Sequence, residues 1–208
     1  MKRALLGVAV AMALGLAGTS DAQAQGITLG VQGGYNYSQF SDIPTDVDEV
    51  GNKGGLVAGA FLDIQFHKML FLGVEGMYAE YKSDITDTDG TIAFKQAYIE
   101  VPAYLGVRLL TGMLQPVLYA GASVAFETTC DLSFESLSES CTDLDIPTKS
   151  SIWSAVFGGG LDVALGAIRL NGDIRYNLGL TEVLDEEGET TKWNSWMALV
   201  GIGFGLGG

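Results

Sequence analysis

The sequence has little of what soluble enzymes and helical membrane proteins depend on. Its 208 residues include one histidine, two cysteines, four prolines and 11 basic residues, against 25 acidic ones. The net charge of −14 argues against nucleic acid as a partner, because phosphate backbones are bound by basic surfaces. No stretch reaches the roughly 18 consecutive apolar residues of a spanning helix, which argues against a helical membrane protein.

The first 24 residues have the pattern of a secretory signal peptide. Met1-Lys2-Arg3 is a basic start, residues 4–18 form a short apolar run, and Ala22-Gln23-Ala24 is a small-x-small cleavage site. We therefore predict a signal peptide over residues 1–24 and one mature domain over residues 25–208.

The dominant pattern that is present is the alternation of apolar and polar residues, typical of half-exposed strands. Along residues 56–66, Leu56, Leu62 and Phe66 share an apolar face, and Asp63 lies on the opposite face. Eight segments show this alternation, and each is about long enough for the ~9–11 residues that cross a bilayer at a tilt. They are residues 26–39, 56–66, 70–81, 96–110, 116–127, 152–165, 168–177 and 193–206.

The connections between these segments alternate strictly between short and long. The short ones lie near His67, at residues 111–115 and at residues 166–167; the long ones are residues 40–53, 83–92, 129–151 and 182–192. This arrangement predicts an all-β fold, an eight-stranded antiparallel up-and-down transmembrane β-barrel, preceded by a cleaved signal peptide. Both termini and the short turns would be periplasmic, and the long loops extracellular.

One stretch, IRLNGDIRYN at residues 168–177, carries two conflicting signals. Asn171-Gly172 is a strong hairpin signal, yet Arg169, Asp173 and Arg175 continue the two-residue period through it. A turn there would leave a strand too short to cross a bilayer and an odd strand count. We predict one continuous strand, with its charged face inside the barrel.

Three strand segments have a recognisable pattern: YIEVPAYLGVRL at 98–109, PVLYAGASVAF at 116–126 and DIRYNLGL at 173–180. With these segments, the whole mature chain resembles the PorT-type outer membrane protein beta-barrel family, small eight-stranded barrels similar to OmpA and OmpX. The resemblance implies a bacterial outer-membrane location and recognition by the barrel assembly machinery, but no single activity. Many such barrels end on an aromatic residue; here Phe204 is followed by Gly205-Leu206-Gly207-Gly208.

The inward faces of the predicted strands carry eight charged residues of both signs. An eight-stranded barrel has an interior just wide enough for side chains, and unpaired buried charges are costly. We expect a paired network that fills the lumen; the alternative is an ion path, as in a narrow pore or a small-molecule transporter. The eight are Asp63, Glu75, Glu100, Arg108, Asp162, Arg169, Asp173 and Arg175.

Three further motifs could carry chemistry. Cys130 and Cys141 are expected to form a disulfide that staples the third long loop, rather than a redox-active pair. DITDTDGT at residues 84–91 fails the spacing of a calcium loop and is expected to be a solvated turn. The glycine-rich stretches at residues 157–161 and 201–208 do not stand between a strand and a helix, so a phosphate-binding loop is not expected.

These features together predict a structural or interactive role and no enzyme activity. The single His67 lies at a predicted turn with no serine placed near it, so we expect no catalytic site, metal or cofactor. The four long loops hold 17 of the 25 acidic residues. We expect them to serve in adhesion or envelope integrity, through an extracellular ligand or through divalent cations that bridge to lipid and lipopolysaccharide. A soluble lipocalin-like carrier, with its apolar faces turned inward, is the remaining alternative.

Overall fold

A computed structural model describes residues 26–41, 49–87, 90–134, 137–141, 149–183 and 192–206. The predicted signal peptide, residues 1–24, lies outside the described residues. These residues form nine strands. Their bounds are Gly26–Ser41 (β1), Glu49–Gln65 (β2), Leu70–Asp87 (β3), Gly90–Arg108 (β4), Leu114–Phe134 (β5), Leu137–Ser140 (β6), Ser151–Leu165 (β7), Ile168–Gly179 (β8) and Lys192–Leu206 (β9).

Eight of these strands form a closed antiparallel barrel, as predicted. Each barrel strand pairs with the next along the chain, β9 pairs with β1, and β4 pairs with β5 to complete the ring. The short strand β6 lies outside the ring. It pairs only with the C-terminal end of β5, from Asp131↔Ser140 to Phe134↔Leu137. The wall therefore has no free edge around its circumference, which a β-structure in a bilayer requires.

The two ends of the barrel differ as the sequence predicts. At one end, hereafter the turn end, connections are short: residues 66–69, 109–113 and 166–167. The last of these is a two-residue hairpin in which Gly166 has a φ of 69°. A positive φ at the first turn position matches the right-handed twist of the flanking strands, and glycine adopts it without strain. The other end is hereafter the loop end.

The outer surface of the wall is apolar. Leu105 and Val200 expose 63% and 70% of their surface, although both lie in mid-strand. Except for Phe157 in the middle of the strand Ser151–Leu165, the exposed aromatic residues lie toward the two ends, as in barrels with aromatic girdles at the two membrane interfaces. Those toward the loop end are Tyr35, Tyr37, Tyr78, Phe126, Trp153 and Trp196, and those toward the turn end are Phe66 and Phe204. This outward apolar face excludes the lipocalin-like arrangement. No helix in the described part of the chain is both long and apolar enough to cross a membrane.

The strands are longer at the loop end than the sequence pattern indicates. Residues 83–92, predicted as the second long loop, belong mostly to β3 and β4, which stay paired up to Asp87↔Gly90. The third long loop likewise begins with paired β5 and β6. The predicted loop boundaries were wrong here because beyond the bilayer both faces of a strand meet water. The apolar alternation that marks a strand inside the membrane is then not required.

The ambiguous stretch IRLNGDIRYN is one strand, as predicted. It forms most of β8, and Asn171 pairs with Asp162 on one side and Gly201 on the other. The partners of Gly172, Leu161 and Val200, are exposed, so Gly172 lies on the lipid-facing surface. Arg169 and Arg175 are therefore directed into the lumen.

Candidate functional site: the barrel lumen

The layer of the lumen nearest the turn end contains two arginines and two aspartates. Arg108 Nη2 lies 2.9 Å from Asp63 Oδ2, and Arg108 Nε lies 3.2 Å from Asp162 Oδ2. Arg169 lies 3.3 Å from Asp63 and 3.8 Å from Asp162. The Arg108 guanidinium also stacks 4.0 Å above the ring of Phe71. The four charges balance, so this layer is electrically neutral.

The next layer is built around Arg175. Its guanidinium donates two hydrogen bonds to Glu75, at 2.7 and 2.8 Å, and a third from Nε to the hydroxyl of Tyr119 at 3.1 Å. Glu75 also accepts a hydrogen bond from Tyr104 at 2.6 Å. The Tyr119 hydroxyl in turn donates to Asp173. Both charged partners of the central ion pair are about 1% exposed at their side chains, so it is fully desolvated.

Glycines make room for the aromatic rings of these two layers. Tyr104 lies opposite Gly73 in the register, and a Cβ added to Gly73 would overlap the Tyr104 ring. The same relation joins Phe71 to Gly106. Two further pairs of this kind are Phe61 with Gly30 and Tyr119 with Gly158. The abundant glycines in the wall thus let large rings lie flat inside a narrow barrel.

Toward the loop end the lumen becomes mainly apolar, which the sequence analysis did not predict. Trp193 Nε1 donates to Gln96 Oε1 at 2.7 Å, and Gln96 Nε2 donates to Glu127 at 2.7 Å. Around this polar contact the inward side chains form a buried cluster. It consists of Val57, Met77, Ala79, Tyr81, Phe94, Tyr98, Ala125, Cys130, Cys141, Ile152, Val183, Trp193, Met197 and Leu199.

The predicted disulfide is present and belongs to this cluster. Cys130 and Cys141 are bonded to each other, and both side chains are buried. The Cys141 amide donates to the Cys130 carbonyl at 3.0 Å, so the bond joins β5 to the residue that follows β6. Both cysteines belong to the buried cluster that contains Trp193, so the disulfide ties the β5–β6 hairpin to the packing at the loop end of the lumen.

Little space remains between these layers. A cavity of about 30 Å³ lies toward the turn end, between Asp63, Tyr104, Tyr119, Arg169 and Asn171. A volume of this order accommodates only about one or two water molecules. Side chains therefore occupy most of the lumen at this depth.

The sequence-predicted charged residues all lie on the inner face, but they are not equivalent. Six of them, all except Glu100 and Asp173, form arginine–carboxylate contacts with one another. Asp173 accepts from Tyr119, which also accepts from Arg175. Glu100 accepts from Tyr81 at 2.5 Å. The sequence analysis did not identify the tyrosines that bind these carboxylates, Tyr81, Tyr104 and Tyr119. The two-residue period over residues 96–110 places Tyr104 on the same face as Glu100 and Arg108, but it does not show that the Tyr104 hydroxyl reaches Glu75.

An outward-facing polar cluster lies just beyond the aromatic residues of the loop end. Glu80, two residues past Tyr78, contacts Lys82 at 2.8 Å and Lys95 at 3.1 Å. Partial burial raises the pKa of Glu80, but hydrogen bonds from both lysines and from the Leu56 amide outweigh this effect and lower its pKa to about 2. The same pairing raises the pKa of Lys95. Glu80 is thus the ionised centre of a surface ion-pair cluster outside the lipid band.

The remaining sequence candidates fall outside the lumen. His67 is exposed at the turn between β2 and β3, where its Nδ1 accepts a hydrogen bond from the Met69 amide at 3.4 Å. The described residues contain no group of three or more histidine, cysteine or acidic side chains that could hold a metal. Residues 88–89 of the calcium-loop-like stretch lie outside the described part of the chain.

A family model described as "outer membrane protein beta-barrel domain" matches residues 22–185. The chain belongs to this family. Together with the apolar exterior and closed ring, this membership assigns the chain to the barrels of the bacterial outer membrane. No curated protein matches the sequence.

Solved structures share the fold at low sequence identity. The outer membrane protein OprG from Pseudomonas aeruginosa is similar with a TM-score of 0.58 and 14% identity, over 89% of this chain and 98% of OprG. Neisserial surface protein A has a TM-score of 0.53 and 16% identity, over 85% of this chain and 96% of that protein. At these identities the likeness establishes the architecture alone.

Proposed function

We propose that this outer-membrane barrel is a structural and surface-interaction protein whose lumen does not conduct. The observation that carries this proposal is that side chains bridge opposite walls of the barrel. β3 and β8 are four strands apart in a ring of eight, and the Arg175–Glu75 ion pair joins them directly. β4 and β9 are also four strands apart, and Trp193 bonds Gln96 across that diameter. Two such bridges at different depths support a lumen that is closed to a continuous file of water.

The membrane orientation that fits this role places the long loops at the cell surface and the turns in the periplasm. The loop ends carry most of the acidic residues, 17 of 25, in residues 40–53, 83–92, 129–151 and 182–192. Carboxylates are the ligands that hard divalent cations prefer, so the loops could bind phosphate-rich lipopolysaccharide through Ca²⁺ or Mg²⁺. An extracellular ligand for adhesion would bind the same acidic surface.

Two narrower assignments belong to this proposal. Within its family, the chain would be of the PorT type, because residues 98–109, 116–126 and 173–180 resemble that type. The barrel assembly machinery would recognise the outward-facing end of β9, where Phe204 and Leu206 are exposed.

Conductance across planar lipid bilayers tests the closed lumen. The purified barrel should give no discrete single-channel openings. A variant that removes both bridges, Arg175→Ala with Glu75→Ala and Trp193→Ala, should give openings. The matched control is Leu105→Ala on the lipid face, which should stay silent. Steady openings from the wild-type protein would contradict the proposal and favour a narrow pore.

Surface labelling tests the orientation, and co-sedimentation tests the partner. An epitope inserted at residues 142–148 should be accessible on intact cells, whereas one inserted beside Lys68 should need permeabilised cells. Lipopolysaccharide should bind the barrel in the presence of Ca²⁺ and be released by a chelator. Neutralising the five acidic residues within 182–192 should weaken that binding. Binding that is insensitive to both changes would exclude the cation bridge.

A further inference from the structure

Of the inward carboxylates named above, Glu100 is the one with a buried oxygen that has no hydrogen-bond partner among the described residues. It lies on β4 and is 1% exposed. Its neighbours in the sheet register are Met77 on β3 and Ala125 on β5. Its Oε1 accepts a hydrogen bond of 2.5 Å from the Tyr81 hydroxyl. Its Oε2 is buried and has no hydrogen-bond partner among the described residues.

Comparison with Glu75 shows what Glu100 lacks. Both carboxylates accept a short bond from a tyrosine hydroxyl, 2.6 Å for Glu75 and 2.5 Å for Glu100. Glu75 additionally receives two bonds from Arg175. Glu100 interacts electrostatically with two charged groups, Arg175 and Glu75, and these two already form an ion pair with each other. No lysine or arginine in the described part of the chain contacts Glu100.

Two further unpartnered acceptors lie at the same place. The Tyr81 hydroxyl lies beside the side chains of Ser195 and Asn177 as well as Glu100. Ser195 is 1% exposed and Asn177 is 2% exposed. Asn177 Oδ1 and Ser195 Oγ, like Glu100 Oε2, are buried without a hydrogen-bond partner among the described residues. Buried polar atoms are almost always satisfied, by protein, water or an ion, so a group of three calls for a common partner.

We propose that Glu100, Tyr81, Asn177 and Ser195 form an internal binding site for a monovalent cation of the sodium class. A hydrogen bond of about 2.5–2.7 Å is typical of a hydroxyl donating to an ionised carboxylate, and one buried negative charge requires one positive charge nearby. A proton on Oε2 could serve only one acceptor oxygen. A small hard cation contacts several oxygens at once, which is the ligand type such cations prefer.

The first test compares stability after refolding in different salts. The barrel is refolded into detergent micelles in sodium chloride or in choline chloride at equal ionic strength, and its urea unfolding is followed. Because the ion binds the folded state, the ratio of folded to unfolded protein should rise in proportion to sodium concentration above the dissociation constant. Glu100→Gln should abolish the difference between the salts. Glu80→Gln, which neutralises a surface carboxylate, should retain it.

Two further measurements examine the site directly, and the first needs no variant. High-resolution crystals of the wild-type barrel in sodium chloride should show density beside Glu100 Oε2 whose contacts to oxygen atoms are shorter than those of a water molecule. Infrared spectra of the wild-type barrel should show no band of a buried protonated carboxylic acid that disappears in Glu100→Gln. Absence of the density, equal stability in the two salts, or a protonated-acid band that is lost in Glu100→Gln would overturn the proposal.

Discussion

Arg175 and Glu75 form a bidentate ion pair between residues that are 100 positions apart in the sequence. Arg175 lies on β8 and Glu75 on β3, on opposite sides of the ring. The pair therefore acts as a cross-brace for the barrel. It is also supported by the two tyrosines whose hydroxyls complete its hydrogen bonding, Tyr104 and Tyr119.

Arg175→Ala should destabilise the barrel by about 3–5 kcal/mol, because Glu75 would remain buried without its counter-charge. Urea unfolding of the refolded protein in micelles measures this loss. A double-mutant cycle isolates the pair: Arg175→Met combined with Glu75→Gln should recover much of the stability lost in either single variant, since both charges are removed. Unchanged unfolding of Arg175→Ala would rule out the brace.

The contact between Tyr104 and Gly73 gives a second test of the lumen packing. Gly73→Ala places a methyl group against the Tyr104 ring, which must move away from Glu75. Overpacking of this kind costs about 1–3 kcal/mol. Gly76→Ala is the matched control on the same strand, because a Cβ there meets nothing within 4 Å. Urea unfolding midpoints should fall for Gly73→Ala and stay within error for Gly76→Ala; equal effects would contradict the packing role.

The wall of this barrel could be predicted from sequence because lipid imposes a strict two-residue period. Every outward position between the aromatic residues must be apolar, and that requirement identified eight strands and overruled the Asn171-Gly172 hairpin signal. The same requirement ends at the membrane surface. The sequence therefore did not indicate that β3 continues to Asp87 and that β4 begins at Gly90. The aspartates, threonines and glycine in this stretch also favour turns.

The partners inside the lumen could not be predicted, because they depend on how far each strand is shifted along its neighbour. The period shows that Arg175 and Glu75 face inward, but only the accumulated register around the ring brings them together. The apolar loop-end layer was missed for another reason. Met77 falls on the inner face two residues after Glu75, and Met197 falls on the inner face two residues after Ser195, so neither strand marks in its sequence where the lining changes from polar to apolar.

Removing the disulfide should affect the loop end and leave the membrane-embedded wall intact. The two cysteines are 11 positions apart in the sequence. Closing a loop of this size contributes about 3 kcal/mol to the free energy of unfolding in the chain-entropy model. Cys130→Ser with Cys141→Ser should lower stability by up to that amount and speed proteolysis within residues 130–141. Heat-modifiable gel migration of the folded barrel should persist. Adding a reductant to the wild-type protein should reproduce the proteolysis, and a variant that no longer inserts into membranes would show that the disulfide has a wider role.

The ion-pair cluster around Glu80 predicts a specific pH dependence. Its pKa is lowered to about 2 in the folded protein from an ordinary value of 4.5, so the folded state favours the ionised form. The stabilisation is therefore complete above about pH 5 and is lost as the pH falls from 4.5 toward 2. Because both lysines are about a third exposed or more, solvent screening should limit it to less than about 1 kcal/mol.

The measurement that isolates Glu80 is the difference in unfolding free energy between wild type and Glu80→Gln across this pH range. Titration of the lumen carboxylates is common to both proteins and cancels in the difference. The difference should be constant above pH 5 and vanish near pH 2. Lys95→Gln removes one hydrogen-bond donor to Glu80 and so raises its folded-state pKa. In that background the loss should still begin near pH 4.5, but it should be smaller and complete at a higher pH. A difference that does not change with pH would mean that Glu80 acts only through its bond to the Leu56 amide, not through its charge.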